Sequence, residues 1–164
     1  MWWISVLASA APPAIPDRAP DQTFHGEIAA GQVLPLDWAA QSNVACFAAL
    51  QRPKYAGPHQ WFVLPQAVAT DLIVRVRPSS GVDINTWALQ NGGVTVGQRP
   101  PSVSATWRCT SSWFAGPGQP EVFRLSAGNG ALEAVIGVAG VDPAATGSFD
   151  VEVWQVPGRT YGTP

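Results

Sequence analysis

The chain has 164 residues, 46% of them apolar, enough for one folded core and too many for a disordered segment. Only 12% are charged, and a net charge of −2 with singly scattered basic residues leaves no basic stripe, which sets nucleic acid aside. No run reaches the ~18–20 apolar residues that a membrane-crossing helix needs. Glycine and proline contribute 16 residues each and tryptophan 8. Abundant tryptophan among few charges points to apolar surface covered by a partner. A coding bias toward Ala, Gly, Pro and Arg, visible in many arginines against the single Lys54, accounts equally for the same composition.

In chain order, residues 1–10, MWWISVLASA, form a signal-like apolar segment that ends in the small-x-small triplet Ala8-Ser9-Ala10 of a signal-peptidase site. No positive residue precedes it, so a retained apolar arm is the alternative. Residues 11–23 hold Pro12, Pro13, Pro16 and Pro20 and little to bury, and read as an extended arm or linker. From 24 to 156 the pattern is that of one β-sandwich domain: short alternating segments separated by Gly, Pro, Asn and Ser. Strands are expected near Gly26–Ile28, Val33–Asp37, Gln60–Leu64, Asp71–Arg77, Val82–Leu89, Ser102–Cys109, Glu121–Leu125, Leu132–Ala139 and Ser148–Trp154. The only stretch with helical character is Val44–Leu50, and residues 157–164 form a tail. About eight or nine strands predict an all-β fold, a jelly-roll-like or Greek-key β-sandwich with an extended N-terminal arm.

Cys46 and Cys109 are the only cysteines. An even count behind an export signal predicts one disulfide, which across so long a loop contributes roughly 4 kcal/mol in the chain-entropy account. Two buried thiols in a cytoplasmic protein are the alternative. Export places the chain outside the cytoplasm, in a bacterial periplasm, at the cell surface or secreted.

The segments HGEIAAGQ, HQWFVLPQAVATDLIVRVRPSSGVDINTWALQ and EVFRLSAGNGALEAVIGVAGVDPAATGSFDVEVW, taken in that order, resemble the bacterial pre-peptidase C-terminal domain, a secreted β-sandwich. The likeness spans roughly residues 24 to 155. It includes the Trp61-Phe62 pair, the Asp-containing strand VDINTWAL and the closing GSF-x-V-x-V. The family's final strands often carry a Tyr-Tyr pair where this chain has Val135-Ile136, and its acidic calcium clusters have no counterpart. The resemblance implies the fold and an exported setting rather than a ligand.

Catalytic patterns are weak. No G-x-S-x-G elbow occurs, and His25 and His59 read as loop residues. Asp83, Glu121, Glu133, Asp150 and Glu152 could supply a carboxylate pair, but Asp150 and Glu152 alternate with Phe149, Val151 and Val153 as the solvated side of a strand does. Asp83, Asn85 and Asp71 are the nearest approach to a calcium set; backbone hydrogen bonding at a sandwich edge explains Asp83 and Asn85 better. No cofactor is expected.

The second half of VRPSSGVDINTWALQ poses a sharper question. Val82, Ile84, Thr86 and Ala88 continue the apolar side of a strand, so Asp83, Asn85 and Trp87 share the other face. Trp38, Trp61 and Trp107 read as core fillers, with Trp87, Trp113 and Trp154 partly exposed. The face of Asp83, Asn85 and Trp87 therefore reads as a contact surface, with Trp113 and Trp154 as further candidates. The expected function is a non-catalytic accessory or structural subunit making protein contacts in an extracytoplasmic assembly. A carbohydrate- or polymer-binding module that stacks sugars on exposed Trp is the alternative, and a small hydrolase ranks third.

Overall fold

Alternation decides the sheets. Leu72, Val74 and Val76 on one strand, Phe149, Val151 and Val153 on another, and Ala134, Ile136 and Val138 on a third all turn into one core, as a period of two demands. The computed structural model describes residues 12–47, 49–113 and 115–158; the signal-like segment and the end of the tail lie outside them. The strands are β1 (Gln22–Glu27), β2 (Gln32–Val33), β3 (Pro58–Gln66), β4 (Thr70–Pro78), β5 (Ile84–Asn91), β6 (Arg108–Ser112), β7 (Glu121–Leu125), β8 (Leu132–Gly140) and β9 (Ser148–Pro157). They form two antiparallel sheets, ordered β1-β9-β4-β7 and β2-β3-β8-β5-β6, packed as an all-β sandwich.

Several expectations shift. Gly26–Ile28 moves back to Gln22–Glu27, so the last residues of the predicted arm, Gln22 and Thr23, are strand, and Ile28 opens a 3-10 turn instead. Val33–Asp37 shrinks to Gln32–Val33, because Pro35 lacks a donor and a short helix, α1 (Asp37–Ala40), starts two residues later. Ser102–Cys109 becomes a loop with the strand starting only at Arg108. Thr106 and Trp107 donate their backbone N–H groups to Asn43 and Gln90 instead of running in register. Val44–Leu50 is not a helix: Ala45 sits at φ 45°, a left-handed conformation that no helix interior tolerates. A 3-10 turn over Ala49–Tyr55 follows.

These displaced pieces build a third layer. Residues 34–47 and 49–57 fold over the outer face of the second sheet. There Trp38, Ala39, Val44, Cys46, Phe47 and Tyr55 meet Trp87, Leu89, Val135 and Ala139 in a second apolar cluster. Every residue of β5 is buried, since it has the sandwich core on one side and this cover on the other. One end of the main core is closed by amides. Gln90 donates to Gln66 Oε1 and to the Ser126 carbonyl, while Gln66 donates to the carbonyls of Thr70 and Leu125, so no amide nitrogen is buried without a partner there.

Candidate functional site

The face of Asp83, Asn85 and Trp87 is not a free surface. Trp87 is 0% exposed and Asn85 4%, with only Asp83, in the turn before β5, half-buried. Trp87 packs edge-on against Trp38 at 5.2 Å. Asn85 donates its amide to the Lys54 carbonyl, and the Tyr55 hydroxyl donates to the Thr86 and Ser112 carbonyls at 3.3 Å. What covers this face is the chain's own 34–57 segment, whose irregular backbone gives no periodic signal in the sequence.

Trp154 is also buried, at 1%. Its indole N–H donates to the Arg18 carbonyl at 2.8 Å, and the Arg75 guanidinium lies 5.2 Å from its ring. Arg18 in turn forms a bidentate pair with Asp21 and donates to the Gln155 carbonyl. The end of the proline-rich arm is thus docked on its own sheet rather than left as a free Trp face. Trp113 is half-buried at the rim of the cover, with Lys54 Nζ 5.8 Å from its ring centroid.

The titratable groups are mostly engaged in structure. On the outer face of the first sheet, Glu152 is 5% exposed and binds Arg75 and Arg77 rather than standing in water. Asp150 faces His25 at 2.5 Å on the exposed edge strand. Asp71 receives Arg124 and the Ala127 N–H. It lies on the outer face of the first sheet and Asn85 on the outer face of the second, so Asp71, Asp83 and Asn85 do not converge. Among the described residues no group of three His, Cys, Asp or Glu side chains is placed to hold a metal ion.

His59 departs from the expectation of a loop histidine. It lies on β3, 1% exposed, and its tautomer is fixed: Nε2–H donates to the Tyr55 carbonyl at 2.8 Å, while Nδ1 accepts the Trp87 indole N–H at 3.1 Å. A second ring proton would face that donor, and burial already holds the imidazole below its ordinary pKa. In the window below the unfolded value of ~6.5, the unfolded chain binds the proton that the native one refuses, so stability falls with falling pH until the native pKa is passed. Urea unfolding midpoints should drop across that window in the wild type and drop less in His59→Gln. Parallel slopes in the two proteins would exclude this role.

Among the described residues two open surfaces combine exposed apolar side chains with an adjoining hollow. The first is a flank of β3. Along one side β3 pairs with β8 from His59 to Gln66, but on the other β2 reaches only His59 and Pro58. Among the described residues nothing pairs beyond. Pro65 fixes the parity, because a strand proline sits where its nitrogen faces away from the ladder. Trp61 and Val63 share that parity, so their backbone N–H and C=O groups point outward. Val63 is 42% exposed, and His25, Gly31, Gln32, Trp61 and Phe62 line a hollow of about 250 Å3 alongside.

The second surrounds Trp107, which is 53% exposed and not a core filler. Its ring lies on Gly128, where a Cβ would come within 2.3 Å of Cζ3. Alternation misplaced it because the strand starts one residue later. The Pro100-Pro101 pair before it and the Gly128-Asn129-Gly130 turn opposite were the available signals.

No family model matches the chain, and no curated protein matches it. What defines it is the sandwich with a disulfide-tethered third layer: Cys46 of the cover is bonded to Cys109 of β6. No helix among the described residues is long and apolar enough to cross a membrane.

Proposed function

We propose that the chain is a non-catalytic, exported β-sandwich acting as an accessory or structural subunit through protein–protein contacts in an extracytoplasmic assembly. The observation that carries this reading is the open flank of β3. An unpaired strand edge presents fixed donors and acceptors that an extended segment of another protein satisfies by adding a strand. Sandwich proteins normally blunt such edges with charge, proline or a bulge. Here the stretch Trp61-Phe62-Val63-Leu64 carries no charge, and Pro65 guards only its far end. The adjoining hollow offers a place for a side chain of the added strand. The Cys46–Cys109 disulfide supports an oxidising compartment.

Val63→Lys tests the contact. A lysine at this exposed position sets a charge beside the edge and, as a surface change, should alter stability by no more than about 0.5 kcal/mol. Size exclusion with light scattering on protein from its own cell should find a co-purifying protein with the wild type and none with the variant. A monomer in both cases would refute the reading.

A further inference from the structure

The geometry points to the Trp107 end as a binding site for a neutral six-membered sugar ring. It is separate from the β3 edge and rests on a different observation. Trp107, Asn129 and the backbone of Gly92, Gly93 and Gly130 line a cavity of about 280 Å3 floored by Leu132. Three features select the ligand.

The indole is a supported plate. Gly128 approaches the ring at Cζ3 and Cη2, where no side chain would fit, so Trp107 is braced against backbone while still half open to solvent. A rigid aromatic plate gains contact area without losing much side-chain freedom, and the C–H face of a pyranose matches it.

The lining is polar without charge. Among the described residues no ionised side chain lines the cavity; its polar groups include the Asn129 amide, the Trp107 indole N–H and main-chain groups of the glycines and Ala131. Uncharged donors and acceptors around an apolar plate suit hydroxyls on a ring, and no side-chain charge among the described residues lies there to pair a phosphate or a uronate. The volume lies at the low end for ligand pockets, which fits a single ring of a longer glycan rather than a large cofactor.

The walls are preformed. The Gly92–Gly97 loop is closed on itself by Thr95, whose hydroxyl donates to the Gly92 carbonyl and accepts the Gly92 N–H. It is tied down by Glu133, which accepts the Gly97 N–H at 2.9 Å and binds Arg99 through both oxygens, at 2.8 and 2.7 Å. A site that need not be ordered on binding keeps more of its contact energy. Val94, 98% exposed, and Val96 are exposed apolar residues on the same loop.

The test is titration of the full chain with neutral cello-, xylo-, manno- and chito-hexaoses, read by tryptophan fluorescence and calorimetry, with a polyuronate hexamer as the charged control. At least one neutral hexaose should bind with a Kd below about 10 mM and the polyuronate should not. Trp107→Ala should weaken binding by at least about tenfold, as truncation of an aromatic anchor does. Trp107→Phe should retain most of it, and Asn129→Ala should weaken it less than Trp107→Ala. Thermal melts of the variants should match the wild type, because Trp107 lies outside both cores. No binding by any neutral hexaose overturns the proposal, as does binding indifferent to Trp107→Ala or a protein partner held at Trp107. Val63→Lys should leave sugar binding unchanged, so loss of the β3 contact and loss of this site read out separately.

Discussion

Trp87→Ala is expected to lower the unfolding free energy by about 3–5 kcal/mol, the range for truncating a large buried aromatic. Trp87 is enclosed on three sides, by Trp38 of the cover, by His59 through its indole N–H, and by β8 beneath. The last contact depends on Gly137, the cross-strand partner of Trp87: a Cβ there would lie 1.9 Å from Cε2 of the ring. Gly137→Ala should therefore also destabilise, by about 1–3 kcal/mol or more through overpacking. In the Trp87→Ala background the clash disappears, and the same change should be nearly neutral. Denaturant unfolding of the four proteins forms a double-mutant cycle, and additive effects would show that the ring does not rest on Gly137.

Removing the disulfide should have the second large effect. The bond joins positions separated by 63 residues, and in the chain-entropy account such a cross-link contributes about 4 kcal/mol. Its placement adds a more specific expectation. Cys46 belongs to the cover and Cys109 to the edge strand β6, so the bond staples the third layer to the sandwich. Among the described residues the other hydrogen bonds across this seam include Ser111 Oγ to the Cys46 carbonyl, Asn85 to Lys54, the Tyr55 hydroxyl, His59 to the Tyr55 carbonyl and the Thr106 N–H to Asn43, none of them covalent. A Cys46→Ser, Cys109→Ser protein should lose near-UV signal from Trp38 and Trp87 and bind a hydrophobic dye at denaturant concentrations where its far-UV strand signal persists. Coincident loss of both signals would mean that cover and sandwich unfold as one unit.

The sandwich was legible in the sequence because its strands obey simple alternation. Glu121–Leu125 matches residue for residue, and Asp71–Arg77, Leu132–Ala139 and Ser148–Trp154 fall inside the observed strands. The third layer was not legible. Residues 34–57 carry no sustained period, and their course is set by Pro35, the left-handed Ala45, Pro53 and the bond to Cys109. That one omission misplaced the tryptophans. Trp87 faces away from the sandwich core, as the alternation of β5 requires, yet facing away from one core means facing water only in a two-layer protein. Trp154 was misjudged for the same reason, its cover being the Arg18 end of the arm. Trp107 erred in the other direction, because a strand assigned too early gave a loop residue a side. Asn85 and Trp87 did mark something unusual, namely a polar and an aromatic group placed to bind the chain's own cover.

The central claim is that this domain works by contact through the free edge of β3. Residue-resolved amide hydrogen exchange tests it most directly. In the isolated protein, the N–H groups of Trp61 and Val63 should exchange quickly while those of Gln60, Phe62 and Leu64, turned toward β8, stay protected. In material isolated from its own cell together with co-purifying protein, Trp61 and Val63 should become as protected as their neighbours. Unchanged fast exchange at Trp61 and Val63 in that material, or protection of both already in the isolated protein, would contradict the account.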